Sequence, residues 1–125
     1  MLDHVGLNVS DYEVSKAFYL QALAPLGVEL VQENALGIEM SGDGKTSLCL
    51  FQAQEKPAHL HIAFVAKDRA TVAAFHRAAL AAGGRDNGAP GLRPQYHANY
   101  YAAFVIDPDG HNIEAVCHAP EAPVA

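Results

Sequence analysis

Apolar and polar positions alternate from Leu2 to Val9. Val5, Leu7 and Val9 share one face, and His4, Gly6 and Asn8 share the other, which is the period of a half-buried strand. The period then changes. Val14, Ala17, Phe18 and Ala22 recur at helical spacing, predicting a helix over 12–23. Ser10-Asp11-Tyr12-Glu13 reads as a capping box at its start, and Pro25 and Gly27 stop it. Three apolar runs follow at 28–31, 36–40 and 47–51. Ser41-Gly42-Asp43-Gly44 joins the last two as a hairpin turn.

The second half repeats this order. Ile62, Phe64 and Ala66 alternate with His59, His61, Ala63 and Val65, predicting a strand over 59–66. Asp68 is a candidate N-cap, followed by the helical stripe Val72, Phe75, His76, Ala79 and Leu80, which Gly83-Gly84 ends. Residues 85–98 read as an irregular loop, because Asn87-Gly88, Pro90-Gly91 and Arg93-Pro94 all break regular structure. Strands over 99–106 and 112–118 flank Asp107-Pro108-Asp109-Gly110, a tight-turn sequence. The halves also match residue by residue at one constant offset: His4 meets His61, Asp11 meets Asp68, Phe18 meets Phe75 and Gly27 meets Gly84. An internal repeat of this kind implies two superposable units.

The chain has 125 residues, half of them apolar and 18% charged, as one ordinary globular domain would. Its net charge is -6 with only 8 Lys and Arg, which argues against a nucleic-acid partner. No apolar run is long enough to span a bilayer, and no basic region precedes the first strand pattern, so a cytoplasmic protein without a signal peptide is expected. Cys49 and Cys117 lie in apolar runs and read as reduced, buried thiols.

Strand parity carries the chemical argument. If Val5, Leu7 and Val9 face the first helix, His4 faces away from it, and the same reasoning turns His61 away from the second helix. In the last strand Ile113, Ala115 and Cys117 form the apolar face, so Glu114 points the other way with Asn112, Val116 and His118. Two imidazoles and one carboxylate on such faces suit one divalent metal ion, Fe, Mn, Zn, Ni or Co, with positions left for water or substrate.

The opening DHVGLNVSDYEVSKAFY and the closing AAFVIDPDGHNIEAV resemble the start and finish of the vicinal oxygen chelate superfamily, which includes glyoxalase I, bleomycin-resistance proteins, fosfomycin-resistance enzymes and extradiol dioxygenases. The resemblance implies an α+β fold in which two βαβββ repeats form an open, curved mixed sheet with the helices on the outer face. The single domain would span 1–118, with repeat one over 2–54, repeat two over 58–118 and a flexible tail over 119–125. Metal ligands at His4, His61 and Glu114 are implied, the same three residues that parity selects. One position departs. Glyoxalase I has a fourth ligand on the last strand of the first unit, and here Thr46-Ser47-Leu48-Cys49-Leu50-Phe51-Gln52 offers no carboxylate or histidine. That departure turns the resemblance toward the three-ligand members.

The long second-half loop supplies the remaining candidates. Arg93 can clamp a carboxylate or phosphate, and Tyr96 and Tyr100 can stack or donate hydrogen bonds, making these three the expected substrate-binding residues. His97 and Tyr100 are the expected acid–base residues. The bland alternative is a proline-stiffened loop whose Arg and Asn side chains satisfy its own carbonyls. His76 is expected to pack on its helix, His111 to be solvated in its turn, and His59 and His118 to lie at strand ends. Two functions follow: a glyoxalase-like, metal-dependent lyase, isomerase, transferase or dioxygenase acting on a small oxygen-bearing substrate, or a metal-free protein that sequesters an aromatic or antibiotic-like ligand. A homodimer is expected in either case, with the ligands brought together within one chain or between two. No membrane partner is expected.

Overall fold

Each half of the chain builds a four-stranded mixed sheet covered on one face by a helix. The computed structural model describes residues 1–54 and 58–121. The first unit contains β1 (His4–Val9), α1 (Tyr12–Ala22), a 3-10 turn (Ala24–Leu26), β2 (Glu29–Asn34), β3 (Gly37–Ser41) and β4 (Ser47–Gln52). The second contains β5 (His61–Val65), α2 (Arg69–Ala81), β6 (Arg85–Leu92), β7 (Tyr101–Ile106) and β8 (Asn112–Cys117). The strand orders are β1-β4-β3-β2 and β5-β8-β7-β6, so the repeat read from the sequence is a repeat of topology. In each sheet the first strand pairs in parallel with the last, and the other pairs are antiparallel. The architecture is the α+β pair of βαβββ units that the sequence predicts.

Three local expectations are corrected. The N-cap of α1 is Asp11, whose side chain accepts the Val14 N–H at 3.2 Å. Ser10 turns outward from its own helix because its amide and hydroxyl are bound to Asp109 of the other unit. The stretch after α2 is a strand through Leu92, not a loop: Gly88, Pro90 and Gly91 are tolerated because β6 is an edge strand whose pairing with β7 shifts register at these residues. His111 is fully buried, with Nδ1 accepting the Leu60 N–H at 2.9 Å. The Asp68 N-cap holds as read, accepting the Thr71 N–H at 2.7 Å. The far end of the expected tail, residues 122–125, lies outside the described residues.

One core joins the two units. Phe18 and Tyr19 of α1, Phe75 and Ala79 of α2, Leu7 and Val9 of β1, and Ile113 and Ala115 of β8 are all fully or nearly fully buried in one cluster. Each of the Phe, Leu, Val and Ile side chains among these contributes about 1.5–3 kcal/mol through removal from water. The units approach tightly at Gly84, where a Cβ would stand 2.8 Å from the Phe18 ring of the first unit and 2.4 Å from Val105 of its own. A polar seam locks the same junction. Tyr19 donates to Asp107, and Ser10 donates to Asp109 through both its amide and its hydroxyl. Asp107 is shaped for this by its own turn, accepting the amides of Asp109 at 2.9 Å and His111 at 2.7 Å. Burial first, and then the Asp107 charge, push the Tyr19 phenol far above its ordinary range, so it stays a donor. Because both sheets turn their apolar faces inward to this core, their opposite faces look outward. No helix among the described residues is long and apolar enough to cross a membrane.

Candidate functional site

The outward face of the second sheet gathers most of the candidates. β5 and β8 run in parallel with His61 opposite Asn112 and Ala63 opposite Glu114, so the two side chains stand diagonally on one face. His61 Nε2 lies 2.7 Å from Glu114 Oε1. The other carboxylate oxygen accepts the Tyr100 hydroxyl. Glu114 is 1% exposed, and a buried carboxylate is tolerable only with such donors. The Tyr100 phenol is pushed up to about 12, by burial first and then by its bond to Glu114. His61 keeps about half of its side chain in solvent, 55% exposed, so the pair is open on one side.

The segment after β6 forms a wall beside this pair. Tyr96 packs against Tyr100 with ring centroids 4.9 Å apart, and His97 meets Tyr100 edge-on at 5.3 Å. His97 stacks on His118 at 4.7 Å and shares a nitrogen–nitrogen hydrogen bond with it. The Asn99 amide donates to His97 Nδ1 at 3.2 Å, which leaves the ring proton on Nε2, pointing to His118 Nδ1. His97 therefore reaches Glu114 only through Tyr100. The guanidinium of Arg93 bends back over β6 and lies over the Phe104 ring, 5.4 Å from its centroid.

The outward face of the first sheet holds the third candidate ligand. His4 sits opposite Ser47, and Cys49 sits opposite Gly6, the register place that Glu114 takes in the second unit. His4 is 63% exposed; its Nδ1 bonds to Asp3 at 2.8 Å, which leaves Nε2 as its outward atom. His4, Cys49, Glu39 and Phe51 share a shallow hollow of about 270 Å³. Glu39, unnoticed in the sequence, accepts from Ser47 at 2.6 Å and Gln32 at 3.0 Å. The only available signal was its parity on β3, which alternates Ile38 and Met40 inward. Burial and the Glu39 charge push the Cys49 thiol up. Both cysteines are free; Cys117 is buried, while Cys49 is half-buried on the outward face.

The structure thus brings together His61, Glu114 and Tyr100 and leaves His4 on the other sheet. Among the described residues of one chain, no three His, Cys, Asp or Glu side chains close around one ion. The donor chemistry still fits a divalent cation: an imidazole nitrogen and a fixed carboxylate converge at hydrogen-bond distance, and the open side faces solvent. A separate apolar cleft of about 440 Å³, lined by Val5, Leu26, Met40, Leu48, Ile62 and Phe64 among others, contains none of the candidate ligands. His76 pairs with Asp86 at 3.0 Å, holding that carboxyl below its usual range.

The same architecture occurs in known proteins. A glyoxalase/bleomycin resistance protein from Albidiferax ferrireducens T118 is 30% identical, with 96% of this chain and 99% of that chain covered and a TM-score of 0.80. A putative glyoxalase from Bacillus halodurans is 29% identical over 94% of this chain and 95% of that one, with a TM-score of 0.73. A lactoylglutathione lyase from Agrobacterium tumefaciens shares the fold at 20% identity and a TM-score of 0.69, with 94% and 92% of the two chains covered. No curated protein sequence matches the chain. The family model described as Glyoxalase/Bleomycin resistance protein/Dioxygenase superfamily matches residues 1–115.

Proposed function

The chain belongs to the Glyoxalase/Bleomycin resistance protein/Dioxygenase superfamily, and from that premise we propose that it is a divalent-metal-dependent enzyme whose site is completed between two copies. His61 and Glu114 of one protomer and His4 of its partner would hold the ion, which is Fe, Mn, Zn, Ni or Co. The observation that carries this reading is the convergence of His61 and buried Glu114 at 2.7 Å, while His4 stands outward on the other sheet. The seam between the units fixes the two faces apart within a chain, so a second copy is the route by which they meet. The edges support this. β1 and β5 are both edge strands and carry His4 and His61. An uncovered edge strand is a template for pairing. Setting β1 of one copy beside β5 of another joins two outward faces into one curved hollow.

When bound, the metal supplies Lewis-acid stabilisation of charge developing on substrate oxygens. The chain's own residues do the rest. Tyr100 donates to Glu114 and fixes the carboxylate's orientation, and as a phenol held protonated to about pH 12 it keeps doing so at neutral pH. Tyr96 and Tyr100 offer ring faces to a small substrate. His97, in contact with Tyr100 and His118, acts through Tyr100 as a positioning residue. The chemistry is of the lyase, isomerase, transferase or dioxygenase type, in a reducing cytoplasmic setting consistent with two free thiols.

Mixing variants tests the site. His4→Ala and Glu114→Ala homodimers each lose metal binding. In an exchanged dimer, mixing the two restores one intact site per heterodimer, read as recovered Mn(II) or Zn(II) binding. No recovery on mixing, with a dimer formed, would place the ligands within one chain. A wild-type chain that binds neither these ions nor Fe(II), Ni(II) or Co(II) would favour the metal-free ligand-sequestering reading.

A further inference from the structure

We propose that the outward face of the second sheet contains an oxyanion subsite built on Arg93, so that the substrate carries a carboxylate or phosphate group. The inference deepens the function proposed above and rests on that reading in treating this face as the substrate face.

The guanidinium is fixed before any ligand arrives. Nη1 donates to the Gly91 carbonyl at 2.8 Å, and Nη2 donates to the Ala89 carbonyl at 2.8 Å. The Phe104 ring lies beneath it at 5.4 Å. Two glycines make the room. A Cβ at Gly88 would stand 3.1 Å from Nη2 and 2.8 Å from the Phe104 ring, and one at Gly91 would stand 3.1 Å from Nη1. Only some of the five donors of an Arg side chain are used by these bonds. Among the described residues, no carboxylate forms an ion pair with Arg93. The fork is therefore a held, partly covered cation with donors to spare.

Its place gives it a use. Phe104 pairs in register with Glu114, and its ring centroid is 6.2 Å from that of His61. Arg93 is also tied to Tyr100 through the backbone, its amide donating to the Tyr100 carbonyl at 2.7 Å. The cation thus sits one strand away from the His61–Glu114–Tyr100 group, on the same face. A planar fork matches two oxygens of a carboxylate or phosphate. In a chain of net charge -6, a fixed cation there selects an anionic end locally, against the general field. An anion on the fork would lay the adjoining oxygen-bearing carbons over His61 and Glu114.

The bland role, satisfying the carbonyls of a bulged edge strand, predicts lost stability and no effect on anions. The test is calorimetric titration of the full-length protein with lactate and with inorganic phosphate, with and without Mn(II). Wild type is expected to bind at least one of them. Arg93→Gln should weaken that binding at least about tenfold, the loss of a charge-assisted contact. Arg93→Lys should restore only part of it, since a point charge lacks the fork. Gly91→Ala, which moves the fork and keeps the charge, should weaken it as well. Binding of lactate alone assigns a carboxylate substrate, and binding of phosphate alone assigns a phosphate ester. Wild type binding neither anion, or Arg93→Gln and Gly91→Ala binding as wild type does, overturns the subsite. Anion binding lost in Arg93→Gln from a protein that takes up no metal would leave the subsite standing and remove the metal-dependent reading.

Discussion

The two outward sheet faces come from one duplicated plan and carry opposite kinds of chemistry. On the second sheet a carboxylate is sunk to 1% exposure, gripped by His61 and Tyr100, and walled by Tyr96 and His97. On the first sheet the equivalent register place holds Cys49, and His4 stands in solvent with Asp3. Both units keep the same strands, and their inward faces share one core. The outward faces differ, as one preorganised half and one open half. A fixed half and an exposed half suit a site assembled from two surfaces, because the buried carboxylate is satisfied before assembly and the exposed imidazole is available for it.

The largest test of that asymmetry compares the register-equivalent positions. Glu114→Ala should lower Mn(II) or Zn(II) affinity by more than about 100-fold, since even outer partners of a ligand are worth roughly 10–100-fold. Cys49→Ala at the matching place should leave it almost unchanged. A chelator-competition titration reads both, and a large Cys49 effect would show the halves to be chemically alike.

A second test attacks the seam that keeps the faces apart. Tyr19→Phe leaves a buried Asp107 oxygen without its donor and should cost about 1–3 kcal/mol in urea unfolding. The phenol pKa is raised in the folded state. Its contribution is therefore complete below the unfolded value of about 10 and is lost as pH climbs beyond it. Wild type should weaken in alkali more steeply than Tyr19→Phe, and identical profiles would break this account.

Tyr100→Phe should come next, with roughly a tenfold loss in metal affinity from a less firmly oriented Glu114. The smallest effect belongs to His97→Gln. It touches the carboxylate only through Tyr100, so the same titration should shift by no more than about threefold, below the roughly 10–100-fold typical of groups that bond a ligand directly. A shift for His97→Gln as large as that for Tyr100→Phe would place His97 in the hollow itself.

Much of this molecule follows from its order of residues. Alternation at Val5, Leu7 and Val9, helical spacing at Phe18 and Phe75, and the matching frames of His4 and His61 define two βαβββ units and turn both histidines and Glu114 outward. These features are local, and side-chain period alone decides which face a residue takes. What local patterns miss depends on distant partners. β6 is a strand despite Gly88, Pro90 and Gly91 because β7 tolerates its shifted register. Ser10 gives up its cap to Asp109, which follows it by most of the chain. His111 is buried because Leu60 supplies its donor. Parity could say that His4, His61 and Glu114 face away from the helices, yet only the packed seam decides that the two sheets face apart, since relative placement of halves is set by contacts such as Phe18 with Gly84 and Tyr19 with Asp107 that no short window contains.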